Sequence, residues 1–532
     1  GAGELAFDEG LYAFRSIGYL DYLESAAQPT PIQWLADAEL PLWLKLSFHD
    51  HPPLLFAVQH GFFRALGDSR FVARLPSALA GAASVFLFFL IARALARKLG
   101  LKGLPGRLGI AGDEVAGLAA ALLAAVSFAP VWASRSVMLE ALLMFLVLLN
   151  VYFFLRFLDE PRRWLAFGVT FGLALLTKYV SVFLIPAYAL FLLFYRPSLF
   201  SRWRLWAALL IAIAVFAPVI VYNVNFYRSF GHFDLQFSYL LRQATPEWQG
   251  ASGKTQEPFS NLLENLSIIY SIPFLVSALA ALAMLLWPRR FPAPRRELWF
   301  ARFPLLLAAA VTLLLLLTGS AIRFSALYAI PALIALALVV PAFGSPGRWR
   351  RVFWLLLGAF LAHEVLFTLN RAFLDAPDYG SVRLDDYFDR ELGPARGPGL
   401  PRHPNPHLDR VIQAYALPRP ATLGPTGIIY DENLSLSPIL WLFSRRQYYH
   451  GIPVMAAGAF RAALRASGPA TFKGFTLYFV KAGPGAPLRQ ARPVPDAGEV
   501  EEILQSRHQE PALTILAGDG QPAFRVFKFS LP

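Results

Sequence analysis

Two acidic residues stand side by side at Asp8-Glu9, ahead of Gly10-Leu11-Tyr12. Such a pair has two readings. Acidic residues favour the first turn of a helix, where they meet the positive end of its dipole. A carboxylate can also act as a general base, taking a proton from an attacking hydroxyl. Further on, His49-Asp50-His51 runs into Pro52-Pro53. On an extended chain alternate residues share a side, so His49 and His51 with Asp50 could form half of a divalent metal site. The prolines equally suit a rigid turn leading into a helix. Single cations at Arg135, Lys178 and Arg323 interrupt apolar runs, and Glu140 opens the run after Arg135. A charge so placed either snorkels to headgroups or belongs to a site, and an Arg135–Glu140 or Lys–Glu pair would make Glu140 structural. Asn223, between Tyr222 and Asn225, could hydrogen-bond a sugar or cap a helix at the interface.

The elements that carry these residues are set by composition. Of 532 residues, 56% are hydrophobic and 16% charged, whereas soluble domains run nearer a quarter charged. The net charge of +13 lies between apolar runs, which fits membrane orientation rather than nucleic-acid binding. The absence of cysteine excludes disulfides and Cys-based metal sites. Residues 1–9 lack the basic and apolar regions of a signal peptide.

A bilayer core needs about 20 apolar residues as helix. Ten stretches qualify or nearly do: 72–92, 114–133, 137–157, 164–177, 180–195, 205–224, 266–287, 303–319, 325–342 and 352–369. Basic residues gather in alternate short loops, around Arg93 to Arg107, Arg156 to Arg163, Arg196 to Arg204, Arg289 to Arg302 and Arg348 to Arg351. Those loops are expected to be cytoplasmic. Residues 1–70, the 225–265 loop and everything after 370 then lie outside, and Arg135, Lys178 and Arg323 fall together on that outer face, a pattern that suits an anion site.

Three regions follow. Residues 1–70 form an extracytoplasmic loop with the acidic motif, in which Tyr12, Trp34 and Trp43 punctuate amphipathic, interfacial helices. Residues 71–369 form the transmembrane helical domain. Residues 370–532 read as a small soluble α/β domain, with strand-like runs at 426–430, 476–480 and 523–529 and helical runs at 437–444 and 456–466. There, Asp431-Glu432-Asn433 and Arg445-Arg446 are expected as surface and capping residues.

The order Asp8-Glu9-Gly10-Leu11-Tyr12-Ala13, His51-Pro52-Pro53-Leu54 and Arg74-Leu75-Pro76-Ser77 resembles the C-type (GT-C) membrane glycosyltransferases. The likeness is to the protein O-mannosyltransferase and lipid A aminoarabinose transferase branch. It continues through Ser134-Arg135 ahead of Glu140, through Leu176-Thr177-Lys178, and ends near Arg323-Phe324-Ser325-Ala326-Leu327-Tyr328-Ala329-Ile330-Pro331. It covers roughly residues 5–340. The resemblance implies an α-helical polytopic fold and a polyprenyl-phosphate-linked sugar as donor. It implies Asp8, with Glu9 beside it, as the base, and Arg135, Lys178 and Arg323 as ligands of the donor phosphate. Tyr12, His49, His51, Arg74, Glu140 and Asn223 would line the cavity. Three departures stand out: the family usually has a membrane helix before the acidic motif, it often has Asp where this chain has Glu140, and Phe324 replaces its usual Tyr.

These readings define an enzyme of the inner (plasma) membrane that moves a sugar to an acceptor hydroxyl on a protein, lipid or glycan, and the lack of a Gly-rich phosphate loop disfavours nucleotide chemistry. No cofactor is required, although a divalent metal could bind. Direct attack predicts inversion at the anomeric carbon. Three alternatives remain: a lipid-linked oligosaccharide ligase or polymerase, a secondary transporter, and a non-catalytic subunit of the same fold. The transporter is disfavoured because no internal repeat is visible.

Overall fold

The computed structural model describes residues 3–25, 27–35, 39–101, 110–248, 257–287, 291–343, 350–392, 403–415, 425–489 and 492–532. The loop residues Lys102, Arg107, Arg289, Arg290 and Arg348, and most of the Pro/Gly-rich stretch 392–406, lie outside this set. The chain divides into two compact units: Lys45–Leu55 with Arg74–Asp375, and Gly1–Leu44 with Phe56–Ala73 and Ala376–Pro532.

The first is a membrane unit. Among the described residues, six helices are long and apolar enough to cross a bilayer: Arg70–Lys98, Leu139–Asp159, Trp203–Phe230, Trp299–Thr318, Ile322–Ala342 and Arg350–Leu374. Two bent pairs raise this to as many as eight. The ten expected stretches are largely helical, and not all of them reach that length as one straight helix. The 114–133 stretch breaks at Ser127 into Gly112–Val126 and Phe128–Arg135, bent by 58°. The 266–287 stretch breaks by 113° between Pro258–Ile269 and Ile272–Met284. There the Ser271 side chain accepts from the Phe274 amide at 3.0 Å and so starts a new helix, with Pro273 in its first turn. Helix Trp164–Thr177 has 14 residues, and helix Leu184–Tyr195 has 12 and continues the 3-10 turn Tyr179–Phe183. Lys178 separates them with extended backbone.

Core packing is dense where small residues allow it. A Cβ on Gly168 would sit 2.4 Å from the Ala208 carbonyl oxygen, and one on Gly172 would sit 2.6 Å from the Val215 Cβ. Helices Trp164–Thr177 and Trp203–Phe230 thus approach through a small-xxx-small stripe, the usual device of membrane helices. Basic groups mark one end of the unit. Arg97 and Arg93 pair with Asp113, Lys98 with Asp159, and Arg196 donates to the Leu158 carbonyl at 2.7 Å. Helix Leu139–Asp159 carries Glu140 in its first turn and ends at this basic end, so Glu140 lies at the opposite one.

The second unit is α/β. Its five-stranded sheet has the order β2-β1-β3-β5-β4, with β1 Thr426–Tyr430, β2 Val454–Ala456, β3 Thr476–Ala482, β4 Leu513–Leu516 and β5 Pro522–Phe529. Strand β1 is parallel to β2 and β3, while β3–β5 and β5–β4 are antiparallel. Helices Ala457–Ser467 and Asp496–Ser506 cover one face through Phe460, Val500 and Leu504 against Leu477, Phe479 and Phe527. On the other face Tyr430 stacks on Phe443 at 5.1 Å and Phe388 meets Tyr478 edge-on at 6.0 Å. The opening helix Glu9–Gly18 is built into this unit and packs on the helical segment that begins at Leu436.

Arg445 and Arg446, expected at the surface, are 3% and 1% exposed. Both reach Asp385 at 2.8 Å, Arg445 also approaches Asp68 at 3.5 Å, and His450 lies 2.7 Å from Asp68. Asp431 is likewise fully buried and pairs with Lys481 at 2.5 Å. Buried charges persist only with partners, and these partners are too distant in sequence to be read from it.

Candidate functional site

Glu140 sits in the first turn of its helix and is 3% exposed. Lys178 ends helix Trp164–Thr177, and its Nζ pairs with Glu140 Oε1. The same Nζ lies 4.3 Å from the centre of the Phe324 ring. Arg323, in the turn Ile322–Ser325, acts electrostatically on the same carboxylate. Two cations thus act on one carboxylate at the end of the bundle away from the basic loops. Of the two pairings open to Glu140 in the sequence, the Lys–Glu one is formed.

Arg135 is held differently. Its Nη1 donates to the Ala372 carbonyl, and its guanidinium lies 4.0 Å above the Phe373 ring. Both partners fall in the π-helical turn Asn370–Leu374. Helix Phe128–Arg135 also packs against the turn Ala326–Tyr328 that follows Arg323. Lys178 and Arg323 share a carboxylate, whereas Arg135 is fixed by a carbonyl and a ring.

Asn223 turns toward a residue that the sequence reading overlooked. Its amide donates to Asp234 Oδ2 at 3.0 Å and to the Val219 carbonyl at 3.1 Å, and its oxygen accepts from the Asp234 amide at 2.9 Å. Tyr179, next to Lys178, donates to the same Oδ2 at 2.7 Å. Asp234 Oδ1 caps helix Leu235–Leu240 by accepting from Phe237 N at 2.9 Å. Burial pushes the Asp234 carboxyl up to about 6, against the pull of these hydrogen bonds. An Asp one residue before an apolar helical run was the available signal.

The segment carrying His49, Asp50 and His51 is not extended. The Phe48 amide donates to the His51 carbonyl at 3.2 Å, closing a turn. The His49 ring stacks on Phe226 at 5.2 Å and meets Trp248 edge-on at 5.4 Å, while His51 Nδ1 lies 2.9 Å from Asp50 Oδ2. The turn removes the shared side on which the expected half-site relied, and among the described residues no three His, Asp or Glu side chains are grouped to hold a metal ion. Arg74 lies half-buried on helix Arg70–Lys98.

Asp8, Glu9 and Tyr12 belong to the α/β unit. The two acidic residues play different parts there. Glu9 is 6% exposed and its Oε2 accepts from the Ala6 amide at 3.0 Å, closing the helix start. Asp8 stands at the N-cap position but its side chain makes no capping bond, and it is only half-buried. Phe7 before it has φ 49°, a conformation costly for a non-glycine residue and frequent near functional sites. Tyr12 is buried against Phe56, ring centres 5.7 Å apart.

A polytopic helical bundle with a small C-terminal sheet domain and a charged cluster at one membrane face has the GT-C architecture, the class to which the resemblance pointed. The family model described as dolichyl-phosphate-mannose-protein mannosyltransferase matches residues 110–222. Two solved structures of ArnT from Cupriavidus metallidurans share the fold. The apo form has a TM-score of 0.53 and the form bound to undecaprenyl phosphate 0.54, both at 13% identity. The first covers 99% of this chain and the second 98%, with 94% of the ArnT chain covered in each. No curated protein sequence matches significantly. The chain is thus a multi-pass membrane protein that resembles the protein O-mannosyltransferase and ArnT branch of the GT-C glycosyltransferases.

Proposed function

We propose that this protein transfers a sugar from a polyprenyl-phosphate-linked donor to an acceptor hydroxyl at the outer face of the inner membrane. The observation that carries the proposal is the Glu140–Lys178–Arg323 cluster, in a fold shared with ArnT, which has been solved with undecaprenyl phosphate. A polyprenyl phosphosugar is a phosphodiester with one negative charge, which the Lys178 and Arg323 cations would attract. As the bond from the anomeric carbon to phosphate oxygen breaks, that oxygen gains charge, and the released monoester approaches two charges. Preorganised cations stabilise that change, each contact being worth about 3 kcal/mol in the transition state. Glu140 holds Lys178 in place and keeps the cluster from carrying two uncompensated charges in an apolar setting. Arg135 is a further phosphate ligand in this proposal.

Asp8 is the proposed base. It takes the acceptor hydroxyl proton while that oxygen attacks the anomeric carbon and polyprenyl phosphate leaves, so one displacement gives inversion. The resemblance favours Asp8 as the base, and the Glu9 carboxylate closes the helix start. The test uses radiolabelled polyprenyl-phosphate monosaccharide with purified protein in lipid. Asp8→Asn should lower transfer by about a hundredfold or more, whereas Glu9→Gln should keep most of it. Unchanged transfer in Asp8→Asn, or a product with the donor's anomeric configuration, would defeat the mechanism. Use of only a lipid-linked oligosaccharide would point to a ligase.

A further inference from the structure

We infer that Asp234 is a positioning residue for the donor phosphate, acting through Tyr179 on Lys178. The inference rests on the proposed function and goes one step outward from it. Asp234 is fully buried, and three parts of the membrane unit converge on it and its neighbours. The first is the turn Tyr179–Phe183, whose Tyr179 hydroxyl donates to Oδ2 at 2.7 Å. The second is the end of helix Trp203–Phe230, through the paired Asn223 contacts. The third is the 45–55 segment. Leu235 N donates to the His49 carbonyl at 2.9 Å and Gln236 Nε2 to the Asp50 carbonyl at 3.0 Å.

The backbone makes the link to the cluster short. Lys178 has extended backbone between helix Trp164–Thr177 and the turn that begins at Tyr179. Its amide is tied to the Ala174 carbonyl at 3.0 Å, and its carbonyl accepts from Ser181 N at 3.1 Å. Two side chains fix the far side of this junction: the Ser181 hydroxyl, 2.9 Å from both the Lys178 and Ala174 carbonyls, and Tyr179. The ring meets Phe216 edge-on at 5.8 Å and Phe237 at 4.7 Å, and the hydroxyl is fixed by Asp234. A lysine has four rotatable bonds, so its ammonium position depends on where its Cα is held. Holding Tyr179 at both ring and hydroxyl adds to the hold of Ser181 on that Cα. Reacting groups displaced by about 1 Å can lose about a hundredfold in rate, so a buried carboxylate one residue removed from a phosphate ligand is well placed to matter.

The test is binding of undecaprenyl phosphate to purified protein in nanodiscs, followed by donor KM and acceptor KM in the transfer assay. Asp234→Asn and Tyr179→Phe should each weaken binding and raise the donor KM by about tenfold, with the acceptor KM unchanged. A loss of folded protein lowers the active fraction but leaves both KM values alone. In a Lys178→Gln background, Asp234→Asn should add no further weakening, because its effect is routed through Lys178. Tyr179→Phe removes one oxygen and keeps the ring packing, so it reads the same link should Asp234→Asn fold poorly. An unchanged donor KM in Tyr179→Phe, or losses that multiply in the Lys178→Gln background, would overturn the inference. If Lys178→Gln itself binds undecaprenyl phosphate as the parent does, the phosphate site is the part that fails, and the role given to Asp234 goes with it.

Discussion

Single residues divide the work among charges that look alike in sequence. Glu9 and Asp8 are neighbours, yet one carboxylate closes a helix start and the other makes no capping bond. Among the three cations, Lys178 and Arg323 surround Glu140, and Arg135 rests on a ring and a carbonyl. Glu140→Gln should keep a hydrogen bond to Lys178 but lose the compensating charge. Donor binding should then persist or tighten while turnover falls about tenfold, because Lys178 is freer to move. Isothermal titration with undecaprenyl phosphate beside the transfer assay separates the two effects. Arg323→Gln removes positive charge and should raise the donor KM. A glycine sets another limit. A Cβ on Gly10 would lie 2.5 Å from the Ser437 carbonyl oxygen, and the Gly10 amide donates to Ser437 Oγ at 3.0 Å. Gly10→Ala must push the acidic helix off that carbonyl, so transfer should fall at least tenfold; activity equal to the parent would show that the close approach is unimportant.

At the scale of elements, the buried ion network holds the helices of the α/β unit together. Helix Ser381–Leu392 supplies Asp385, helix Arg445–His450 supplies Arg445 and Arg446, and the turn Ile439–Ser444 before it supplies Trp441. Burial alone would raise the Asp385 carboxyl, but Arg445, Arg446 and Arg70 outweigh it and hold it below the usual range. Asp68 is lowered in the same way, burial being overcome by Arg445 and His450. A carboxylate with a depressed folded-state pKa contributes stability above its unfolded value near 4. That contribution is lost as pH falls below 4 toward the folded value. Protection of helix Ser381–Leu392 in hydrogen exchange should therefore decline below about pH 4. Asp385→Asn leaves two buried guanidinium groups short of a partner and should cost about 3–5 kcal/mol, with a flatter acid limb. A variant that matched the parent at pH 7 would show the network to be dispensable.

For the whole molecule, the α/β unit draws on both ends of the chain. Removing residues 376–532 should leave the Glu9–Gly18 helix without the packing it takes from Gly10–Ser437 and from Gly18, where a Cβ would lie 2.6 Å from the Tyr449 hydroxyl. Limited proteolysis should then cut within residues 3–25, which the full chain protects. Orientation is testable because the chain has no cysteine. A single cysteine at Arg162, in a basic loop, should resist a membrane-impermeant maleimide in intact cells, and one at the exposed Glu510 should react. The reverse pattern would place the proposed site on the cytoplasmic side.

Composition and spacing alone determined that the chain enters a membrane, which loops are basic, and where strands β1, β3 and β5 run. They did so because apolar length and strand alternation are local properties of a chain. The same reading picked out Lys178, Arg323 and Glu140 as charges that an apolar environment must compensate. Only the tertiary structure decided how they pair, since Glu140 and Lys178 lie 38 residues apart. It also decided that His49 packs among aromatics and that Asn223 faces Asp234, and it put Arg445 and Arg446 in the interior. The helix breaks at Ser127 and Ser271 were hidden for a related reason: hydropathy counts apolar side chains and is blind to a backbone that turns between them. Pairing of buried charge is a matter of distance in space, and no local pattern records it.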